Sequence, residues 1–236
     1  MADYEVPEPI LNSPYEEPAE HWNIEEGTSP ERRPGRRPAG YFFRDAKAPP
    51  SDDEHTARGT WQELTLVNLI RDRIKQWRIQ GYPGVTRTTL DLLNYWRRDG
   101  RGKRLFFAQL EAAETIIFLT EARGDFRQGI YVPIDEPSEE GKARGLKAFQ
   151  RYALKMATGT GKTTVMGMLA AWSILNKVND RSDGRFSDTV LIVCPNVTIK
   201  LSRYRLRVDS RLAHRDEIIR DALSRECGVL NDLLVQ

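Results

Sequence analysis

Cysteine and histidine are scarce in this chain, with two of the first and three of the second among 236 residues. Cys194 and Cys227 have no CxxC partners and the histidines are widely scattered, so no disulfide framework and no metal cage is spelled out. A reducing cytoplasm fits that usage best. Long apolar runs are also missing. The longest uncharged stretch, Thr163–Asn176, is shorter than the roughly 20 apolar residues a membrane-spanning helix needs. Met1–Glu8 is acidic and lacks the basic and apolar regions of a secretory signal. A soluble, cytoplasmic protein without a membrane partner is expected. A large charge of one sign is absent as well. At a net +2, bulk electrostatics neither demands nor excludes a polyanion, and any nucleic-acid contact has to be local.

Hydrophobic residues make up 39% and charged residues 30%, which is lean for one compact body and suggests that part of the chain lies outside a core. Nine of the thirteen prolines precede residue 51, in a stretch without helical or strand periodicity. Residues 1–59 are therefore expected to form a disordered or extended arm. A helical N-terminal region is expected over 60–144. Thr60 with Glu63 spells a capping box, and Leu64, Val67, Ile70, Ile74 and Trp77 follow at helical spacing, up to Gly81-Tyr82-Pro83-Gly84. A second helix is predicted from about Thr88 to Arg98 and a third from about Phe107 to Ala122, with Gly124 just beyond. One strand, Ile130–Ile134, precedes an acidic loop.

From about Gly145 the pattern becomes strand, glycine loop, apolar helix, polar loop, strand, which is one βαβ unit. Tyr152–Met156 is predicted as its first strand, Gly161–Lys177 as its crossover helix and Thr189–Cys194 as a buried second strand. Residues 211–236 read as a tail with one amphipathic helix, His214–Arg225.

Between predicted strand and predicted helix stands Met156-Ala157-Thr158-Gly159-Thr160-Gly161-Lys162-Thr163-Thr164. Glycine at 159 and 161 permits backbone angles and close approaches that a Cβ would block, so successive N–H groups can converge on phosphate oxygens. The helix adds the partial positive charge of its N-terminus. Lys162 would reach the β- and γ-phosphates of a nucleoside triphosphate, and the Thr163 hydroxyl would hold Mg²⁺. The general spelling, G-x-x-x-x-G-K-[ST], wants glycine where this chain has Met156.

That octad, Met156 to Thr163, resembles motif I of superfamily 2 helicases, and most closely the type III restriction enzyme R (Res) subunits. Phe106-Phe107-Ala108-Gln109-Leu110-Glu111 looks like the upstream glutamine segment of such proteins, which lies near the adenine, and Val190–Ile199 is similar to the motif Ia strand and turn, which touches the DNA backbone. Tyr82–Arg87 and Asn94–Gly100 also resemble the N-terminal region of this group. The resemblance implies an α/β fold with a partial RecA-like P-loop domain over 145–210, ATP and Mg²⁺ as cofactors, and Thr158, Gly159, Thr160, Gly161, Lys162, Thr163, Thr164 and Gln109 at the nucleotide. DNA, and a DNA-methyltransferase (modification) subunit, are the implied partners.

Hydrolysis in the family needs a D-E-x-H box after motif I and arginines from a second motor domain. No such box follows Lys162: Asp216-Glu217-Ile218 continues with Ile219. Asp52-Asp53-Glu54-His55 has the letters but precedes the loop and has no apolar strand to carry it. No catalytic residue is assigned, and the chain is expected to be an N-terminal portion that does not turn over ATP alone. The alternative is a free-standing nucleotide- or DNA-binding module. A small-molecule kinase fits less well with the upstream glutamine segment.

Other features have bland readings beside functional ones. Glu140-Gly141-Lys142 has the E-x-K spelling of some nucleases but reads as a solvated charge run. Lys200, Arg203, Arg205 and Arg207 with Tyr204 either grip phosphates or form an ordinary basic face. Arg32, Arg33, Arg36 and Arg37 read as a solubilising run. Gln109 either reads the adenine edge or simply starts a helix, and Phe106 and Phe107 either stack on the base or pack in a core. Trp61, Trp77, Trp96 and Trp172 are expected on buried helical faces.

Overall fold

The computed structural model describes residues 6, 8–24, 29–44 and 59–190, and in it the chain divides into two compact units. The first gathers Met1–Gly81, Phe106–Ala108 and Gly124–Arg151, and the second Tyr82–Leu105, Gln109–Arg123 and Tyr152–Gln236. Five helices and three two-stranded antiparallel ladders make up the described structure.

Within the first unit, strand β1 (Glu20–Asn23) pairs with β2 (Glu31–Pro34), and β3 (Gly40–Phe43) pairs with β4 (Thr60–Glu63). Three of these four strands fall in the stretch expected to carry no strand. Side chains fix them across the chain: the Asn12 carboxamide oxygen accepts from the Ala19 amide at 2.8 Å, and the Arg32 guanidinium pairs with Glu20 at 2.7 Å. Two of the arginines read as a solubilising run thus serve the first ladder, since Arg33 pairs with Glu31 at 3.1 Å.

The Thr60–Glu63 capping box is overridden. Those residues pair with Gly40–Phe43, and helix α1 runs over Thr65–Ile79 with no side-chain cap at Leu64. Glu63 instead accepts from the Asn68 side-chain amide at 2.7 Å, while Asn68 accepts from the Ala39 amide at 2.8 Å. A ladder partner distant in sequence outweighs one local cap of about 1 kcal/mol. Trp61, expected on a helical face, therefore stands on a strand and is 40% exposed. Ile70, Ile74 and Trp77 are buried along one face of α1, as their spacing requires. Gly81, at φ +77, stops that helix.

The strand predicted at Ile130–Ile134 shrinks to β5 (Ile134–Asp135), which pairs with β6 (Phe149–Gln150). Pro133 has no N–H to give a ladder, and Tyr131 is exposed. The acidic loop contains a short helix, α4 (Glu139–Ala143), capped by the Ser138 hydroxyl, which accepts from the Gly141 amide at 3.2 Å. Glu140 and Lys142 are exposed on it and paired with Arg144 and Glu139, which fits the solvated charge run.

The second unit is helical where it is described. Helix α2 (Arg87–Arg97) begins at Thr86, whose hydroxyl accepts from the Thr89 amide at 3.1 Å. It packs on α5 (Lys162–Asn179), and α3 (Phe107–Glu121) supplies Leu110, Ala113, Ile117 and Phe118 to the core. Trp96 and Trp172 are buried as expected.

Tyr152–Met156 is not a strand in the structure. A parallel strand exists only beside a neighbour that takes its N–H and C=O groups, and no described residue provides that ladder. Its predicted partner Thr189–Cys194 lies largely outside the described residues, as do the tail helix, Lys200–Arg207, both cysteines and Asp52–His55. A mixed α/β structure is observed; the βαβ pairing is not among the described elements.

Candidate nucleotide site

The loop Met156–Gly161 enters α5 through two glycines that both sit at φ +80. For any L-residue that left-handed backbone costs roughly 1–2 kcal/mol, which explains glycine at both places. Gly161 is the residue at the helix cap, and no side chain caps that end. The uncapped first turn of an 18-residue helix thus faces the exposed loop. Such amides, with the helix dipole behind them, attract an anion.

The Ala157 carbonyl is the hub of the loop. It accepts from the Thr160 hydroxyl at 2.7 Å and from the Lys162 ammonium at 2.8 Å. Lys162 is exposed, and its charge is folded back onto the loop by a neutral acceptor. A phosphate oxygen would compete well for it, because hydrogen bonds between charged partners are about twice as strong as those to neutral ones. Thr163 is also exposed at the helix start and Thr164 is half-buried.

Gln109 lies on α3 and is buried, and its side-chain amide donates to the Thr160 carbonyl at 3.1 Å. The structure thus brings Gln109 onto the loop that the sequence pairs with it by motif alone. A Cβ on Gly161 would collide with the same Gln109 nitrogen, so the close approach needs glycine there.

A Mg²⁺ carried in with a nucleotide would find the Thr163 hydroxyl, phosphate oxygens and water as donors. Among the described residues no cluster of three or more His, Cys, Asp or Glu residues is available to hold a metal. One protein oxygen plus substrate phosphates suits Mg²⁺, which keeps several waters. The residues present therefore fit a metal that arrives with the nucleotide.

Two buried carboxylates escaped the sequence reading. Glu114 and Glu121 stand seven residues apart on α3, a spacing that puts both on one helical side and could have marked them. Glu121 accepts from the Thr86 amide at 2.8 Å, the Thr89 hydroxyl at 2.7 Å and the Trp172 indole N–H at 2.7 Å. Asn176 joins this network by donating to Thr89 at 2.9 Å and accepting from the Thr86 hydroxyl. Glu114 accepts from the Tyr82 hydroxyl at 2.8 Å and pairs with Arg97. Tyr82, at φ +62, is the one non-glycine in the left-handed region among the described residues, and this bond anchors it. The Tyr82–Arg87 segment is thereby fastened to α3, and α3 to α5.

Residues 103–215 match the family model described as type III restriction enzyme, res subunit. Neither the curated proteins nor the solved structures give a match. The matched span begins just before α3 and takes in Gln109, the glycine loop and α5.

Proposed function

We propose, on the match of residues 103–215 to the type III restriction enzyme res subunit family model, that the chain binds ATP–Mg²⁺ as part of a DNA-dependent translocase. The observation that carries this reading is the uncapped start of α5, with two left-handed glycines leading into it and the Lys162 ammonium held, among the described residues, by a loop carbonyl. In this reading the backbone of Thr158–Thr164 cradles the phosphates and Lys162 binds the β- and γ-phosphoryl groups. Thr163 ligates Mg²⁺, which neutralises phosphate charge when bound. Gln109 reads the adenine edge from the far side of the loop.

Hydrolysis belongs, in this proposal, to a longer assembly. The carboxylates that hold the metal and orient water, and the arginines of a second motor domain, would come from elsewhere. DNA is the track, a DNA-methyltransferase subunit is the companion that marks sites, and the cytoplasm is the compartment. A module that binds nucleotide or DNA without turnover is the second reading, favoured by the absence of a D-E-x-H box after Lys162.

Calorimetric titration of ATP–Mg²⁺ into the chain and its Lys162→Ala variant tests the core of the proposal. A loss of at least about tenfold in affinity is expected, the worth of one charge-assisted bond to phosphate. Equal affinities would retire the nucleotide site. DNA-stimulated, Lys162-dependent turnover by the 236-residue chain alone would instead show that no second motor domain is needed.

A further inference from the structure

The β3–β4 ladder of the first unit buries neither of its faces. Phe42 stands opposite Trp61 in the register, and Tyr41 and Phe43 alternate onto the other face. All four rings are exposed, Tyr41 by 42%, Phe42 and Phe43 by 50% and Trp61 by 40%. A two-stranded ladder gains stability by covering at least one face, so four half-exposed rings on eight paired residues mark an interaction surface. Phe42 and Trp61 meet edge to face at 5.1 Å between centroids, an arrangement that leaves ring face available.

Charge identifies the occupant. Of the arginines in residues 32–44, Arg32 and Arg33 are paired with Glu20 and Glu31, and the cation that adjoins the aromatic patch is Arg37. The Arg37 guanidinium sits 5.7 Å from the centre of the Trp61 ring, so a cation and an aromatic face adjoin. Gly40 is what lets them assemble: Trp61 lies so close over it that a Cβ would collide with the indole. Flat apolar faces beside a cation are what a chain of stacked bases joined by phosphates requires. A duplex hides its base faces and offers only phosphates to such a surface.

We propose that the β3–β4 ladder is a binding platform for single-stranded nucleic acid, with bases stacking on Phe42 and Trp61 and the backbone phosphates meeting Arg37. This site is separate from the glycine loop and stands whether or not that loop binds nucleotide. The test is fluorescence anisotropy of a labelled oligothymidylate of about 12 nucleotides, within the span of known single-strand platforms, titrated with the full chain without ATP. Phe42→Leu and Arg37→Gln are each expected to weaken binding at least about fivefold, the lower end of one lost stacking contact. Arg37→Gln should also flatten the salt dependence, which a merely structural role would not alter. Trp61→Ala should lose more, and circular dichroism of each variant checks that the fold is kept. Wild-type affinity in both Phe42→Leu and Arg37→Gln would overturn the proposal. So would equal binding of a duplex, or self-association of the chain that excludes the oligonucleotide.

Discussion

The side-chain amide of Gln109 donates to the carbonyl of Thr160, across 51 residues of sequence, and so ties α3 directly to the glycine loop. A glutamine carboxamide carries a carbonyl acceptor as well as its donors, and an adenine presents a donor in its exocyclic amine. Gln109→Ala should therefore shrink the preference for ATP over GTP by about tenfold, the value of roughly one hydrogen bond of 1.4 kcal/mol. Parallel titrations with the two nucleotides measure it. An unchanged ratio would leave Gln109 as a brace for the loop and nothing more.

Gly159 and Gly161 share a φ of +80 but not the same surroundings, and that separates two effects. Nothing approaches the position of a Cβ on Gly159, so Gly159→Ala should cost only the left-handed backbone penalty of roughly 1–2 kcal/mol. Gly161→Ala carries that same penalty and drives its methyl into Gln109. Urea unfolding should find the second variant less stable than the first by about 1 kcal/mol or more, the usual scale of overpacking. ATP affinity should fall further as well, because the displaced amide no longer holds Thr160. Equal stabilities would mean that Gln109 yields its place without cost.

How much of this was legible from the sequence depended on how local the cause was. Helices α1 and α2 were readable because their apolar residues recur at helical spacing, α3 and α5 because they are long and mostly apolar, and the glycine loop because its spelling meets a helix start. The ladders were not readable. Glu20–Asn23 and Glu31–Pro34 are four-residue strands without alternation, fixed by an asparagine and an arginine elsewhere in the chain. Thr60–Glu63 shows the same conflict in one place, where a good local cap signal yields to a distant partner. The opposite error occurs at Tyr152–Met156, where a strand-like run has no described neighbour to make it one.

Glu121 should behave as the rivet of the second unit. Its buried carboxylate satisfies three donors, so Glu121→Ala orphans the Thr86 amide and the Thr89 hydroxyl and leaves the Trp172 indole N–H with the longer 3.1 Å bond to the Thr89 oxygen. A loss of at least about 2 kcal/mol is expected in urea titration, since each unsatisfied buried group costs on the order of 1–3 kcal/mol. Trp172→Phe removes one donor and part of the buried ring, so its cost combines the lost bond with the cavity left behind. The double variant should cost less than the sum of the two by about 0.5–3 kcal/mol, the coupling typical of residues in one network. Strict additivity would show that the indole N–H finds water as readily as it finds Glu121.

Beyond the end of α5, Asp183 and Arg185 form a fork: Arg185 Nε lies 3.0 Å from Oδ1 and Nη2 lies 2.7 Å from Oδ2. These side-chain bonds first, and the Arg185 backbone amide second, hold the Asp183 carboxyl down from 3.8 to about 2. Its folded value is depressed, so the contribution to stability is fully present above about pH 4 and is lost as pH falls through about 2. Arg185 is 43% exposed, so that contribution is small and screened by salt. The titration itself is the better readout. Carboxyl chemical shifts followed by NMR should place the Asp183 midpoint near 2 in the wild type, and Arg185→Gln should return it towards 3.8, because both the fork and the cation are lost. The Lys177 ammonium, which donates to the Asp183 carbonyl at 2.9 Å, keeps a smaller share of the depression in that variant. A midpoint unmoved by the substitution would assign the low value to the loop's own amides and sever Arg185 from it.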